Sequence, residues 1–128
     1  MRFNQDTTSH GYTIHAVTTE GVTVRSPEGA PLLLERSFII TADTLVKDWE
    51  PRSIDQLMAN HFSAIVAMKP ELVLLGTGRQ LRFPPHALLT PLMEAAIGCE
   101  VMDTAAACRT YNILNSEGRR VGAALLLP

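Results

Sequence analysis

The sequence predicts an α/β domain whose main sheet is built from residue 71 onward, preceded by a β meander. Three observations carry this. Leu72-Val-Leu-Leu75 is a run of four apolar residues stopped by Gly76-Thr-Gly78, the mark of a short strand buried on both faces. From Glu71 to the end the pattern runs strand, helix, strand, helix, strand, the order of strands joined by crossover helices. Tyr12 to Arg25 alternates around a Glu20-Gly21 turn, as a hairpin does.

Taken in order, residues 1–10 read as a flexible start with Phe3 as an anchor. Tyr12–Thr18 and Val22–Arg25 are the hairpin strands, with Tyr12, Ile14 and Ala16 on one face. Ser26-Pro-Glu-Gly29 is a turn, and Leu32–Leu34 and Ser37–Thr41 add one or two strands. Asp43 to Arg52 is irregular. Ser53-Ile-Asp-Gln56 has the spacing of a capping box and predicts a helix to about Met68, broken near Asn60-His61. After the strand at Glu71–Leu75, Pro84-Pro85 predicts a helix to about Ile97 with Leu88, Leu89, Leu92, Met93 and Ala96 inward. At Pro91 that helix either restarts, with Thr90 as N-cap, or kinks. Gly98 suits the residue just past its end. Cys99–Met102 is a strand. Asp103 or Thr104 caps a helix that stops before Gly118 and buries Ala107, Cys108, Tyr111 and Leu114, with Arg109, Asn112 and Ser116 on another face. Arg120–Leu126 is apolar throughout its interior and reads as a central strand.

Composition narrows the function. The 128 residues fit one domain, and 46% of them are hydrophobic, enough for a real core. A net charge of −2 argues against a nucleic-acid-binding module. Cys99 and Cys108 form no CxxC and no His pair has zinc spacing, so no metal site is expected and the thiols read as small buried residues of a reduced protein. No apolar run approaches the ~20 residues of a membrane span, and no signal peptide is visible. The expectation is a cytoplasmic protein.

Chemistry concentrates at one turn. Gly76, Thr77 and Gly78 follow a strand and imitate half of a dinucleotide fingerprint. The third glycine is absent, with Leu81 in its place, and a tight turn explains the same residues. Arg79 and Arg82 stand beside this turn, and Arg109 lies in the helix that follows another strand end. Guanidinium groups bind carboxylate or phosphate in bidentate fashion, so Gly76, Thr77, Gly78, Arg79, Arg82 and Arg109 form a candidate anion site. The alternative is that the arginines pair with Asp103, Glu100 or Glu117. Cys108 near a helix start has the placement of a reactive thiol but falls on the buried stripe. His10, His15, His61 and His86 are scattered, and no carboxylate pair is spaced for acid–base work. No catalytic residue, cofactor or enzyme activity is indicated.

Three stretches together resemble a known family. They are Leu74-Leu-Gly-Thr-Gly-Arg79 with Leu81-Arg-Phe-Pro84, Ile97-Gly98 with Glu100-Val-Met-Asp-Thr-Ala105, and Ala107-Cys-Arg-Thr-Tyr-Asn-Ile-Leu114 with Glu117-Gly-Arg-Arg-Val121. The resemblance runs from about Tyr12 to Leu126 and takes in Asp48-Trp49. It is to a family of small domains of unknown function, widespread in proteobacteria, whose relatives include a mitochondrial complex I assembly factor and adipogenesis-associated Mth-type domain proteins. The resemblance implies three layers, with a central mixed five-stranded sheet between helices, one strand antiparallel to the rest, and additional strands. It implies no catalytic residue set. The mitochondrial member acts by binding a protein partner and assembling subunits. The leading expectation is therefore a non-enzymatic protein-interaction or assembly-factor-like protein. The alternative is a small-molecule (anion or phosphate) binding protein or enzyme with its site at Gly76-Thr77-Gly78.

Overall fold

The computed structural model describes residues 11–128. The expectations for residues 1–10, including the Phe3 anchor, lie outside the described residues. Strands β1 (Thr13–Thr18), β2 (Gly21–Arg25) and β3 (Pro31–Leu34) form an antiparallel three-stranded sheet in chain order. Strands β4 (Phe38–Ile40), β5 (Leu45–Val46), β6 (Leu72–Thr77), β7 (Gly98–Met102) and β8 (Val121–Leu126) form the main sheet in the order β5-β4-β8-β6-β7. β6 runs parallel to both β7 and β8, while β4 is antiparallel to β8 and to β5. One strand thus opposes the other four, as the family resemblance implies.

The period-2 alternation of the inner strands divides the core into two layers. Leu74, Ala123, Leu125, Phe38 and Ile40 face helix α3 (Thr104–Ser116) and the small sheet. Val73, Leu75, Ala124, Leu126 and Ile39 face the opposite layer, where Trp49, Phe62, Ile65 and Leu92 pack. Val73, Leu74 and Leu75 are fully buried, and all six residues of β8 are buried at the centre of the sheet. The expectation that these two ribbons lie at the heart of the molecule holds.

Local departures have local causes. A bulge at His15 shifts the β1–β2 register, pairing Ile14 with Val24 and then Ala16 with Thr23. Ile14 and Val17 therefore point inward, not Ile14 and Ala16. The helix expected from Ser53 to Met68, with a break near Asn60-His61, is three pieces: 3-10 turns at Ile54–Gln56 and Ala59–Phe62, then helix α1 (Ser63–Met68). The capping box does not form. Gln56 Oε1 accepts from the Arg52 N–H at 2.8 Å, and the Ser53 hydroxyl makes no cap bond. Leu57 and Met58 are extended, and His61 Nδ1 accepts from the Met58 N–H at 2.9 Å, so the chain breaks before Asn60. Trp49 holds the fragments: its Nε1–H donates to His61 O at 3.0 Å and its ring meets Phe62 edge-on.

The next helix is also divided, into a 3-10 turn at His86–Leu89 and helix α2 (Thr90–Glu94). Thr90 is the first helical residue and Pro91 the second, so Thr90 is not the N-cap. Ala96 takes the left-handed conformation (φ 59°) expected for Gly98, which instead opens β7 and donates to Glu71 O. Met93 and Ala96 are exposed, contrary to the expected inward face. Asp103 caps α3 by accepting from the Ala106 N–H at 2.9 Å. Ala107, Cys108 and Tyr111 are buried along α3, as the helical spacing predicts.

Candidate functional site

The end of β6 is built as a latch. Gly76 lies inside the strand, where an added Cβ would stand 2.7 Å from Leu125 Cδ2 and 3.0 Å from Thr104 Cα. Glycine is there because α3 begins against this backbone. Gly78 has φ +99°, a conformation that side chains disfavour. The Gly78 N–H donates to Thr104 Oγ1 at 2.8 Å, and the Thr104 N–H donates back to Gly78 O at 2.9 Å. The same Thr104 hydroxyl donates to Leu126 O. One buried threonine thus ties the ends of β6 and β8 to the start of α3. Thr77 Oγ1 donates to Gln80 O at 2.7 Å and accepts from the Arg82 N–H at 3.1 Å, which fixes the loop that follows.

The Gly-Thr-Gly turn therefore spends the Gly78 N–H and the Thr77 hydroxyl internally. A phosphate cradle of the dinucleotide type needs a glycine-loop N–H aimed at ligand, and at Gly78 that donor serves Thr104. The arginines divide. Arg79 and Arg82 line a cleft of about 250 Å³ at the carboxyl ends of β6 and β8, with Thr77 and Gly78 in its wall. Arg82 is held by Asp55 through an Nη2–Oδ1 contact of 2.8 Å, and this hydrogen bond lowers the Asp55 carboxyl below its ordinary range. Arg109 is exposed on α3 and lines none of the clefts described here, so the structure does not bring it to the other two. Asn112, expected on the same face as Arg109, docks the small sheet. Its amide accepts from the Ile14 N–H at 3.0 Å and donates to Ile14 O at 2.7 Å.

Sequence reasoning missed Arg52 and Ser53, which line the same cleft as Arg79. The missed signal was the failed cap: a serine placed for capping whose hydroxyl is left over. It also missed a second cationic region at the opposite end of the central strands, beside the starts of β6 and β8. There Lys69, Arg119 and Arg120 line a cleft of about 320 Å³ with Asp43 and Asn115. Glu71 offsets this group, approaching Arg119 Nε at 3.5 Å and accepting from the Arg120 N–H. The thiols are unreactive in character. Burial pushes Cys99 up to about 11 and Cys108 up to about 12. Among the described residues no cluster of His, Cys, Asp and Glu is arranged to hold a metal, and no helix is long and apolar enough to cross a membrane.

The loop fixed by Thr77 presents apolar side chains outward. Phe83 is 74% exposed and Leu81 51%, and Met58 and Met93 of the same layer are 59% and 53% exposed. Arg82 lies between Leu81 and Phe83 in sequence, and its pair with Asp55 joins their loop to the Ile54–Gln56 turn.

Known proteins share this architecture. A crystal structure of a Bordetella parapertussis protein superposes with a TM-score of 0.80 at 30% identity, over 92% of this chain and 97% of that one. A solution structure of a Xanthomonas campestris protein gives 0.73 at 38% identity, over 98% and 92%. The cow protein named NADH dehydrogenase [ubiquinone] 1 alpha subcomplex assembly factor 3 is 40% identical over 86 residues, 65% of this chain. Those residues are 46% of the cow protein, so the match spans about half of that relative's length. The family described as "Protein of unknown function (DUF498/DUF598)" matches residues 11–126, and the chain belongs to it.

Proposed function

We propose that the chain is a protein-interaction module that helps assemble a respiratory NADH-dehydrogenase-type complex, with the 79–83 loop as its docking element. The observation that carries this reading is the exposure of Phe83 and Leu81 on a loop that is internally fixed. Leaving a phenylalanine in water forgoes about 1.5–3 kcal/mol of burial. A loop already held in shape loses little entropy on binding, which favours association. The similarity to proteins named as assembly factors supports this choice of partner class.

The test is affinity isolation of the tagged chain from membranes of its own host, with quantitative mass spectrometry. The reading expects NADH dehydrogenase subunits to be enriched with the native chain. It expects at least a tenfold loss with the double variant Leu81→Asp/Phe83→Asp, whose altered side chains are exposed. Recovery of no such subunit, or equal recovery with the double variant, contradicts the proposal.

A further inference from the structure

The cleft at the carboxyl ends of β6 and β8 has a chemistry that docking does not use. We infer that it is a binding site for a phosphate-class oxyanion, held by Arg52 and Arg79 with the Ser53 hydroxyl as a third donor. The cleft holds about 250 Å³, and three arginines but no carboxylate are among its lining residues. Three other clefts among the described residues each include an acidic side chain: Asp43, Glu71 or Asp103. Arg82 is neutralised by Asp55. Arg52 and Arg79 have no ion-pair partner among the described residues, and both line this concavity, Arg79 also bordering the neighbouring cleft that includes Asp103.

Ser53 adds an independent indication. Its backbone has the extended conformation of an N-cap (φ −145°, ψ 166°), yet its hydroxyl caps nothing and lines this cleft. The adjoining Gln56 amide fastens the Arg52 N–H instead, which fixes the backbone from which Arg52 projects. Gly78, also in the cleft's lining, presents no side chain to obstruct the approach. Open α/β sheets bind ligands beyond the carboxyl ends of their parallel strands, which is where this cleft lies. Paired guanidinium groups match a tetrahedral oxyanion through two-point contacts, which an ammonium does not provide. The site needs neither Arg109 nor the Gly78 N–H.

Titration of the ¹⁵N-labelled protein with inorganic phosphate, at constant ionic strength maintained with chloride, tests this. The expected result is saturable shifts confined to residues 52–54 and 77–82. Arg52→Met and Arg79→Met should each raise the dissociation constant roughly tenfold, the scale of one charge-assisted hydrogen bond. Both side chains are exposed, so the native spectrum should otherwise persist. Arg119→Met, at the opposite end of the strands, should leave binding unchanged. The inference is overturned by non-saturable shifts, by equal weakening in Arg119→Met, or by acetate binding as tightly as phosphate. None of these outcomes bears on the recovery of protein partners through Leu81 and Phe83.

Discussion

Thr104 offers the sharpest test of the latch at the end of β6. Its hydroxyl is fully buried, accepts from the Gly78 N–H at 2.8 Å and donates to Leu126 O. Thr104→Val keeps the shape of the side chain but leaves a buried donor and a buried acceptor without that partner. Each unsatisfied group costs about 1–3 kcal/mol, and the added methyl recovers part of this, so a net loss of about 2–4 kcal/mol is expected. For a chain of this length that lowers Tm by roughly 8–16 °C. Thr104→Ser keeps both bonds and removes one methyl, and should cost only about 1 kcal/mol. Urea unfolding of the three proteins measures the difference. Hydrogen exchange at the Gly78 amide should quicken in the valine variant alone. A valine variant within ~1 kcal/mol of native, or a serine variant equally destabilised, refutes the latch.

Three further outcomes follow from the geometry. Gly76→Ala should cost about 1–3 kcal/mol or more by chemical denaturation, because its Cβ would meet Thr104 Cα at 3.0 Å and backbone yields less than a side-chain end. Asn112→Ala removes both bonds to Ile14 and should cost about 2 kcal/mol, with faster exchange at the Ile14 amide than at Leu74. Cys108 ordinarily ionises near 9.0 but is pushed up to about 12 in the fold, so the folded state retains a proton that the unfolded state releases. Stability from this group is complete below pH 9 and falls as pH rises toward 12, with a slope of at most ~1.4 kcal/mol per pH unit. Cys108→Ala should lessen the alkaline slope by this group's share in denaturant titrations at successive pH values, Cys99 and Tyr111, which burial also raises, accounting for the remainder, and an unchanged slope would show that the thiol is not a cause.

The parts of the fold legible in the sequence are those fixed by periodicity. Leu72–Leu75 and Val121–Leu126 are apolar at both parities, and a strand covered on both faces needs that pattern. The α3 stripe of Ala107, Cys108 and Tyr111 is equally direct. Residues 53–68 misled because side chains took over backbone bonding there. Gln56 reached past Ser53 to Arg52, and His61 held Met58 extended. At the candidate site, Arg79 and Arg82, neighbours in sequence, line one cleft. Sequence proximity could not show that Asp55, 27 positions earlier, would occupy Arg82. Nor could it show that Arg52 would line the same cleft as Arg79 while Arg109 does not, because these placements depend on tertiary packing.

Direct contact at position 83 is the most immediate test of the proposed assembly role. A photo-crosslinking phenylalanine analogue at that position, activated in living host cells, should yield adducts with an NADH dehydrogenase subunit. The same analogue at Ile113, exposed on α3, should not. Adducts of equal yield from both positions, or none with such a subunit from position 83, would contradict the account.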